Sequence, residues 1–445
     1  MRFGAAVALA SLSGVVVGPV RLPLSESSAD VEVGKASALA VGPAQPQAAI
    51  SRQNTLAGPF QYLDPTLAPD PAFLAATSRS APPSLVSYAA AAVHSPIYAS
   101  MLAGLRVYRE TWSGLSQLQV PATKPLRPGD SGPAVDALSS RLGEQAAPGT
   151  PFSAALKDKV YAFQRVHALP PTGVADAETI AVLNRGSAHY EAVILANLER
   201  ARWLPTNAGD KFVLVNTAAA RLTGYQHGAP ALEMKVALGS TERQTPALAD
   251  KIETIVLGPE WYVPPHLVRS VIAPGVLEEG LAYLEESGFV VLSDWSDSAV
   301  AADPGSVDWQ AVRDGRAYAR VRQKPGPANP MGNAKFMFPN RLGIYLHDTP
   351  NHALFATENR YVSNGCVRVA EAEELANFLA EEPLLAHDSE RPREIVLENP
   401  VPVITAHFTF WWDGENLSFY KDVYQRDHSL MAKIEMSHAK RRDVL

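Results

Sequence analysis

From Phe3 to Val20 the chain carries no charge, and no second run of that length is so apolar. Arg2 precedes the run and Arg21 follows it, so residues 1–23 are expected to be a signal peptide or membrane anchor. Residues 24–58, rich in Ala, Val, Ser, Pro and Gln, predict a flexible linker. Tyr88, Val93, Tyr98, Leu102, Leu105 and Tyr108 then recur at helical spacing, interrupted at Pro82-Pro83 and Pro96. That pattern predicts a helical scaffold segment over 59–119.

Residues 120–186 read as a compact three-helix unit. The turn-forming run Leu126-Arg127-Pro128-Gly129-Asp130-Ser131-Gly132 leads into Val135, Leu138 and Leu142 at helical spacing. Ser153 is an N-cap for a second helix that buries Leu156, Val160 and Phe163. Pro170-Pro171-Thr172-Gly173 ends it, and Asp176 caps a third helix carrying Ile180 and Leu183.

A scaffold helix over 187–210 comes next, and then the period changes from helix to strand. Strand-like runs lie at 212–216, 234–238, 252–257, 343–346 and 395–397. They predict a β-rich domain over 211–400. Between them, about 273–323, an acidic and irregular stretch with Trp295 and Trp309 reads as an insertion covering a cleft. Residues 401–445 are expected to be a C-terminal scaffold segment and a frayed tail. The fold class is therefore multi-domain α+β.

The charge balance, 39 Lys and Arg against 46 Asp and Glu, gives no support to nucleic-acid binding. A single cysteine excludes a disulfide framework. If the chain is exported into an oxidising compartment, that lone thiol is either buried and inert or retained for its reactivity.

Cys366 stands in Tyr361-Val362-Ser363-Asn364-Gly365-Cys366-Val367-Arg368-Val369, nineteen residues after His347 in Ile344-Tyr345-Leu346-His347-Asp348-Thr349. A thiol is a weak nucleophile until a base removes its proton, and histidine does that and later returns a proton to a leaving amine. Gly365 permits a sharp turn, which suits main-chain amides at 365 and 366 to a developing oxyanion. Arg368 suits a substrate carboxylate. Spacing alone leaves two other readings open: a buried structural Cys with a core His, and a zinc site of His347, His352 and Cys366 that lacks a fourth ligand.

His347 with Ser363-Asn364-Gly365-Cys366-Val367-Arg368 resembles the active-site signature of the L,D-transpeptidases, the YkuD-type domain. Further matching blocks are Arg243-Gln244-Thr245-Pro246, Trp261-Tyr262-Val263-Pro264-Pro265, Lys335-Phe336-Met337-Phe338-Pro339-Asn340 and Leu346-His347-Asp348-Thr349. The three-helix unit resembles the peptidoglycan-binding domain 1 family through Gly129, Gly132, Val135, Leu138, Val160, Phe163-Gln164, Gly173 and Thr179, with Ala168 where that family usually has Gly. Together these are similar to the large periplasmic branch of the transpeptidase family.

The resemblance implies Cys366 as nucleophile and His347 as general base and acid. It implies Gly365, Tyr345, Arg368, Ser363 and Asn364 as the oxyanion and substrate-binding set, with no catalytic role for Asn364. The implied reaction joins peptidoglycan stem peptides 3→3 through a cysteine thioester, with carbapenems as inhibitors and neither metal nor other cofactor. Release to water, giving an L,D-carboxypeptidase, and transfer to other amines are the alternatives within that chemistry. A non-catalytic wall-binding protein is the alternative of another class. A periplasmic location follows from the same resemblance, with membrane contact only through an N-terminal anchor.

Overall fold

The computed structural model describes residues 60–68, 96–205, 208–384 and 392–442; the expected signal or anchor, the linker and residues 69–95 of the expected scaffold lie outside them. Among the described residues no helix is long and apolar enough to cross a membrane. The strands in chain order are β1 (Gln61–Tyr62), β2 (Lys211–Asn216), β3 (Arg221–Gln226), β4 (Ala229–Gly239) and β5 (Leu248–Leu257). There follow β6 (Trp261–Tyr262), β7 (Phe289–Leu292), β8 (Arg320–Gln323), β9 (Ala334–Met337) and β10 (Leu346–His347). The last five are β11 (Tyr361–Ser363), β12 (Val367–Val369), β13 (Arg393–Ala406), β14 (Phe410–Trp412) and β15 (Leu417–Phe419).

Strand period two divides the apolar residues between two cores. Val213 and Val215 of β2 enter one core with Val236, Leu238, Phe336, Leu346, Val367 and Val369. Leu214, between them, enters a second core with Ala249, Ile404 and Ala406. The sheet runs β5-β13-β2-β3-β4-β12-β10-β9, and β9 pairs back onto β5, so these strands close on themselves. β1 adds to β5 and β11 adds to β4. The helix Ala372–Ala380 closes the first core with Leu375, Ala376 and Leu379.

The second core joins the sheet to the helical scaffold. Tyr98, Met101, Leu102, Leu105 and Tyr108 of the helix Pro96–Tyr108 meet Tyr190, Ile194 and Leu198 of the helix Ser187–Ala201 there, with Phe410 and Phe419 of the β14–β15 hairpin. β13 runs through residue 400 to Ala406, so the expected domain end at 400 falls inside a paired strand. The stretch read as a frayed tail is the helix Asp427–Arg442, anchored where Asp427 meets Arg200 at 2.5 Å and accepts from Thr409 Oγ1 at 3.0 Å.

The three-helix unit consists of Pro133–Arg141, Ala154–Val166 and Ala177–Asn184 around Val135, Leu138, Leu156, Val160, Phe163, Ile180 and Leu183. Ser153 Oγ accepts from Leu156 N–H at 2.9 Å and Asp176 from Thr179 N–H at 2.8 Å, the two N-caps that start its later helices.

The insertion is neither irregular nor confined to 273–323. It begins at β6, whose residues pair with β8, while β7 pairs with β8 on its other edge. Short helices between these strands give it its own core of Val263, Val268, Ile272, Val276, Leu284, Val291, Trp309 and Val321. Trp309 is buried and donates to Pro304 O at 3.0 Å, whereas Trp295 is exposed beside Arg320.

Candidate active site

Register places the site. His347 on β10 lies opposite Arg368 on β12, in a parallel pairing, and opposite Lys335 on β9, in an antiparallel one. Opposed residues on neighbouring strands project to the same side, so Arg368, His347 and Lys335 form one row across three strands. Tyr345 and Cys366 stand just ahead of these strands; the Tyr345 ring lies 5.6 Å from that of His347, and its phenol meets the Cys366 sulfur. Five residues from three distant segments thus share one face.

The turn before β12 is built to present the thiol. Ser363 Oγ donates to Cys366 O at 2.6 Å and accepts from Gly365 N–H at 3.1 Å, clasping the turn from inside. Gly365 has φ of 120°, where a side chain is strained, and a Cβ there would lie 3.1 Å from Ile344 Cδ1, a tight contact. The Gly365 amide donates to Ser363 Oγ, and the Cys366 amide has no partner among the described residues. Asn364 is exposed, and its Oδ1 accepts from Arg243 Nη1 at 2.7 Å. The same Arg243 nitrogen lies 3.1 Å from His266 Nε2, which ties the turn to the start of the insertion.

His347 is 3% exposed. Its Nδ1–H donates to the Asp348 carbonyl at 2.6 Å, which leaves Nε2 as the basic nitrogen. The Asp348 carboxylate faces elsewhere: Oδ2 accepts from Asn333 N–H at 2.7 Å. Burial, then the charge of Arg368 and that of Lys335, hold the imidazole down at about 3, against the pull of the Asp348 and Pro330 carbonyls. The base is therefore neutral across the physiological range.

Cys366 is half-buried, and burial pushes the thiol up. The main-chain N–H and the phenol of Tyr345 act against that rise, as do Lys335 and Arg368. Sγ lies 3.6 Å from Gly343 O. Burial and the neighbouring sulfur hold the Tyr345 phenol above its ordinary value, so it is a donor. Arg368 enters no ion pair and no hydrogen bond among the described residues, and its buried Nε has no partner. His352 Nε2 lies 3.7 Å from Asp348 Oδ1.

Two contributors were not singled out from sequence as site residues. Thr245 Oγ1 donates to Gly365 O at 2.9 Å from the loop after β4. Lys335 Nζ stands 3.9 Å from the centre of the Tyr345 ring. Lys335 alternates with buried Phe336 on β9, a pattern that by itself reads as a solvated strand face.

Residues 210–403 match the family model described as the L,D-transpeptidase catalytic domain, YkuD. Residues 134–183 match a second model, "Putative peptidoglycan binding domain". A curated protein of Haemophilus influenzae named "Putative L,D-transpeptidase" is 31% identical over 243 residues, which cover 53% of this chain and 48% of that protein. The chain thus spans about half the length of this curated relative. Among solved structures, an L,D-transpeptidase from Mycobacterium smegmatis is 12% identical, with 44% of this chain and 58% of that one covered and a TM-score of 0.22. Another from Xylanimonas cellulosilytica is 16% identical, with 64% and 99% covered and a TM-score of 0.21. Both superpositions are weak. The matched residues 210–403 contain all five residues of the shared face, from Lys335 to Arg368.

Proposed function

We propose that the protein is a peptidoglycan L,D-transpeptidase that forms 3→3 cross-links between stem peptides in the periplasm. The observation that carries this reading is the common face of Cys366, His347, Tyr345 and Arg368 within the L,D-transpeptidase domain. Cys366 Sγ attacks the carbonyl of the third, meso-diaminopimelate residue of a donor tetrapeptide while His347 Nε2 takes the thiol proton. The Cys366 amide and the Tyr345 phenol are the donors available to the tetrahedral oxyanion. As the C–N bond breaks, His347 returns the proton to the departing D-Ala nitrogen, and a thioester remains. The side-chain amine of a second stem attacks that thioester, a new amide forms, and Cys366 leaves as a thiol.

Arg368, a fork of donors without a protein partner, suits a carboxylate of the stem peptide. The helical unit at 134–183 is proposed to hold the enzyme on peptidoglycan. The insertion is proposed to cover the donor site, because His266 at its start reaches Arg243 and through it Asn364. Water as acceptor yields an L,D-carboxypeptidase from the same acyl-enzyme, and other amines yield attachment to peptidoglycan.

The test is mass analysis of muropeptides made by the purified protein. Wild type should yield 3→3 dimers and take up one carbapenem, an acyl-donor mimic, as a covalent mass. Cys366→Ala should do neither while still binding isolated sacculi. Dimers made by Cys366→Ala would overturn the assignment.

A further inference from the structure

Lys335 is a cation in an unusual place. Lysine is seldom packed against a protein interior without a carboxylate, because an unpaired buried charge is costly. Here the ammonium lies against the Tyr345 ring, and among the described residues it has neither an ion pair nor a hydrogen bond. Arg368, at the other end of the row through His347, is likewise unpaired. Two cations therefore flank a neutral histidine, and none of the five groups on this face is a carboxylate. What lies between them in the next row is Cys366, in contact with the Tyr345 phenol.

We propose that Lys335 is the resident counter-cation of the Cys366 thiolate, so that an ammonium fixed in the sheet, rather than an imidazolium, balances the nucleophile. The inference rests on the reading of Cys366 as the nucleophile. In the free enzyme, when the S–H bond breaks, the proton passes through His347 Nε2 to solvent water and the electron pair stays on sulfur. The charges of Lys335, 3.9 Å from the Tyr345 ring, and of Arg368 then favour that negative charge, and the Tyr345 phenol and main-chain N–H donate to it. In that resting state His347 is neutral, which accords with its burial between two cations, and it holds a proton only during acyl transfer. The other groups close to the turn are Arg243, engaged at Asn364, His266, engaged by Arg243, and the Asp348 carboxylate, engaged by Asn333. On this face Lys335 thus adds to the field of Arg368 from the far side of Tyr345, where no motif residue stands.

Iodoacetamide alkylation of Cys366 as a function of pH, without any substrate, tests this. Lys335→Met should raise the apparent thiol pKa by about one unit, leaving about tenfold less thiolate at pH 7. Lys335→Arg should stay close to wild type. His347→Asn should not raise the midpoint, whereas an imidazolium partner requires that it does. Melting curves confirm folding, with Lys335→Gln as a second neutral variant. An unchanged midpoint in folded Lys335→Met and Lys335→Gln, or a raised midpoint in His347→Asn, overturns the proposal. A wild-type protein that is fully alkylated yet still forms 3→3 dimers would instead sink the nucleophile assignment, and muropeptide analysis shows that separately.

Discussion

Thr245 Oγ1 donates to the carbonyl of Gly365 at 2.9 Å, while accepting from Gly239 N–H at 3.0 Å. One fully buried hydroxyl thus joins the end of β4 to the turn that carries Cys366. Thr245→Val keeps the shape and strands both main-chain groups without a partner. It should cost about 1–3 kcal/mol of stability and slow acylation of Cys366, with Thr245→Ser restoring most of both. Thermal melts beside carbapenem acylation rates check this. A variant equal to wild type in both would show that the turn holds itself.

The rate of acylation should lack a limb near pH 6.5. Burial and two cations keep His347 neutral down to about pH 3, so acidification through 6.5 does not remove the base. The rate should climb with pH instead through the ionisation of Cys366, which burial raises above its ordinary value. His347→Ala should slow acylation by about 10²–10⁴-fold. A kcat/KM profile with a midpoint near 6.5 would count against the neutral base.

Folding stability should decline in acid, and His167 is one cause. It stacks between Phe163 and Phe419, with ring centres at 3.9 and 5.1 Å, and its Nδ1–H donates to Phe163 O at 2.8 Å. Burial lowers it from 6.5 to about 4. The unfolded chain therefore binds a proton in that window that the folded chain refuses, so stability is complete above pH 6.5 and falls as the pH drops towards 4. By pH 4 the loss is on the order of 3 kcal/mol for this group. His167→Phe should flatten the slope measured by denaturant melts at pH 4 to 7.

Ala168 stands where the resembling peptidoglycan-binding family usually has Gly, and its φ is 50°. A left-handed conformation costs an alanine more than a glycine. Ala168→Gly should raise stability by about 1 kcal/mol, read as a higher melting temperature of the full chain. A lower one would mean the unfolded-state entropy of glycine wins.

The insertion should move as one body. Val291 and Val321 are buried and paired across β7 and β8, so their amides should exchange slowly with or without ligand. Ligand-dependent slowing should appear instead around 240–246 and 264–268, where Arg243 meets His266. Fast exchange at Val291 and Val321 in the free protein would contradict a preformed cover.

Much of the chemistry was legible because it is local. The thiol, its glycine turn, Ser363 and Arg368 lie within six consecutive residues, and the caps at Ser153 and Asp176 need only the first turn of their own helices. The small helical core could likewise be read from spacing, since its helices follow one another over short connections.

Sheet register could not be read that way. It is decided by which apolar faces fit together across long loops, and a one-residue slip would turn every side chain to the other side. That register alone sets Lys335 beside His347 and His347 beside Arg368. For the same reason the insertion starts at Trp261 rather than near 273, because β6 finds its partner in β8 only after the chain has returned. The last paired strand passes residue 400 because Val403 to Ala406 match β2, some 190 residues earlier. The amino-acid order alone determined which groups are able to react; the closing of the sheet decided which charges surround them.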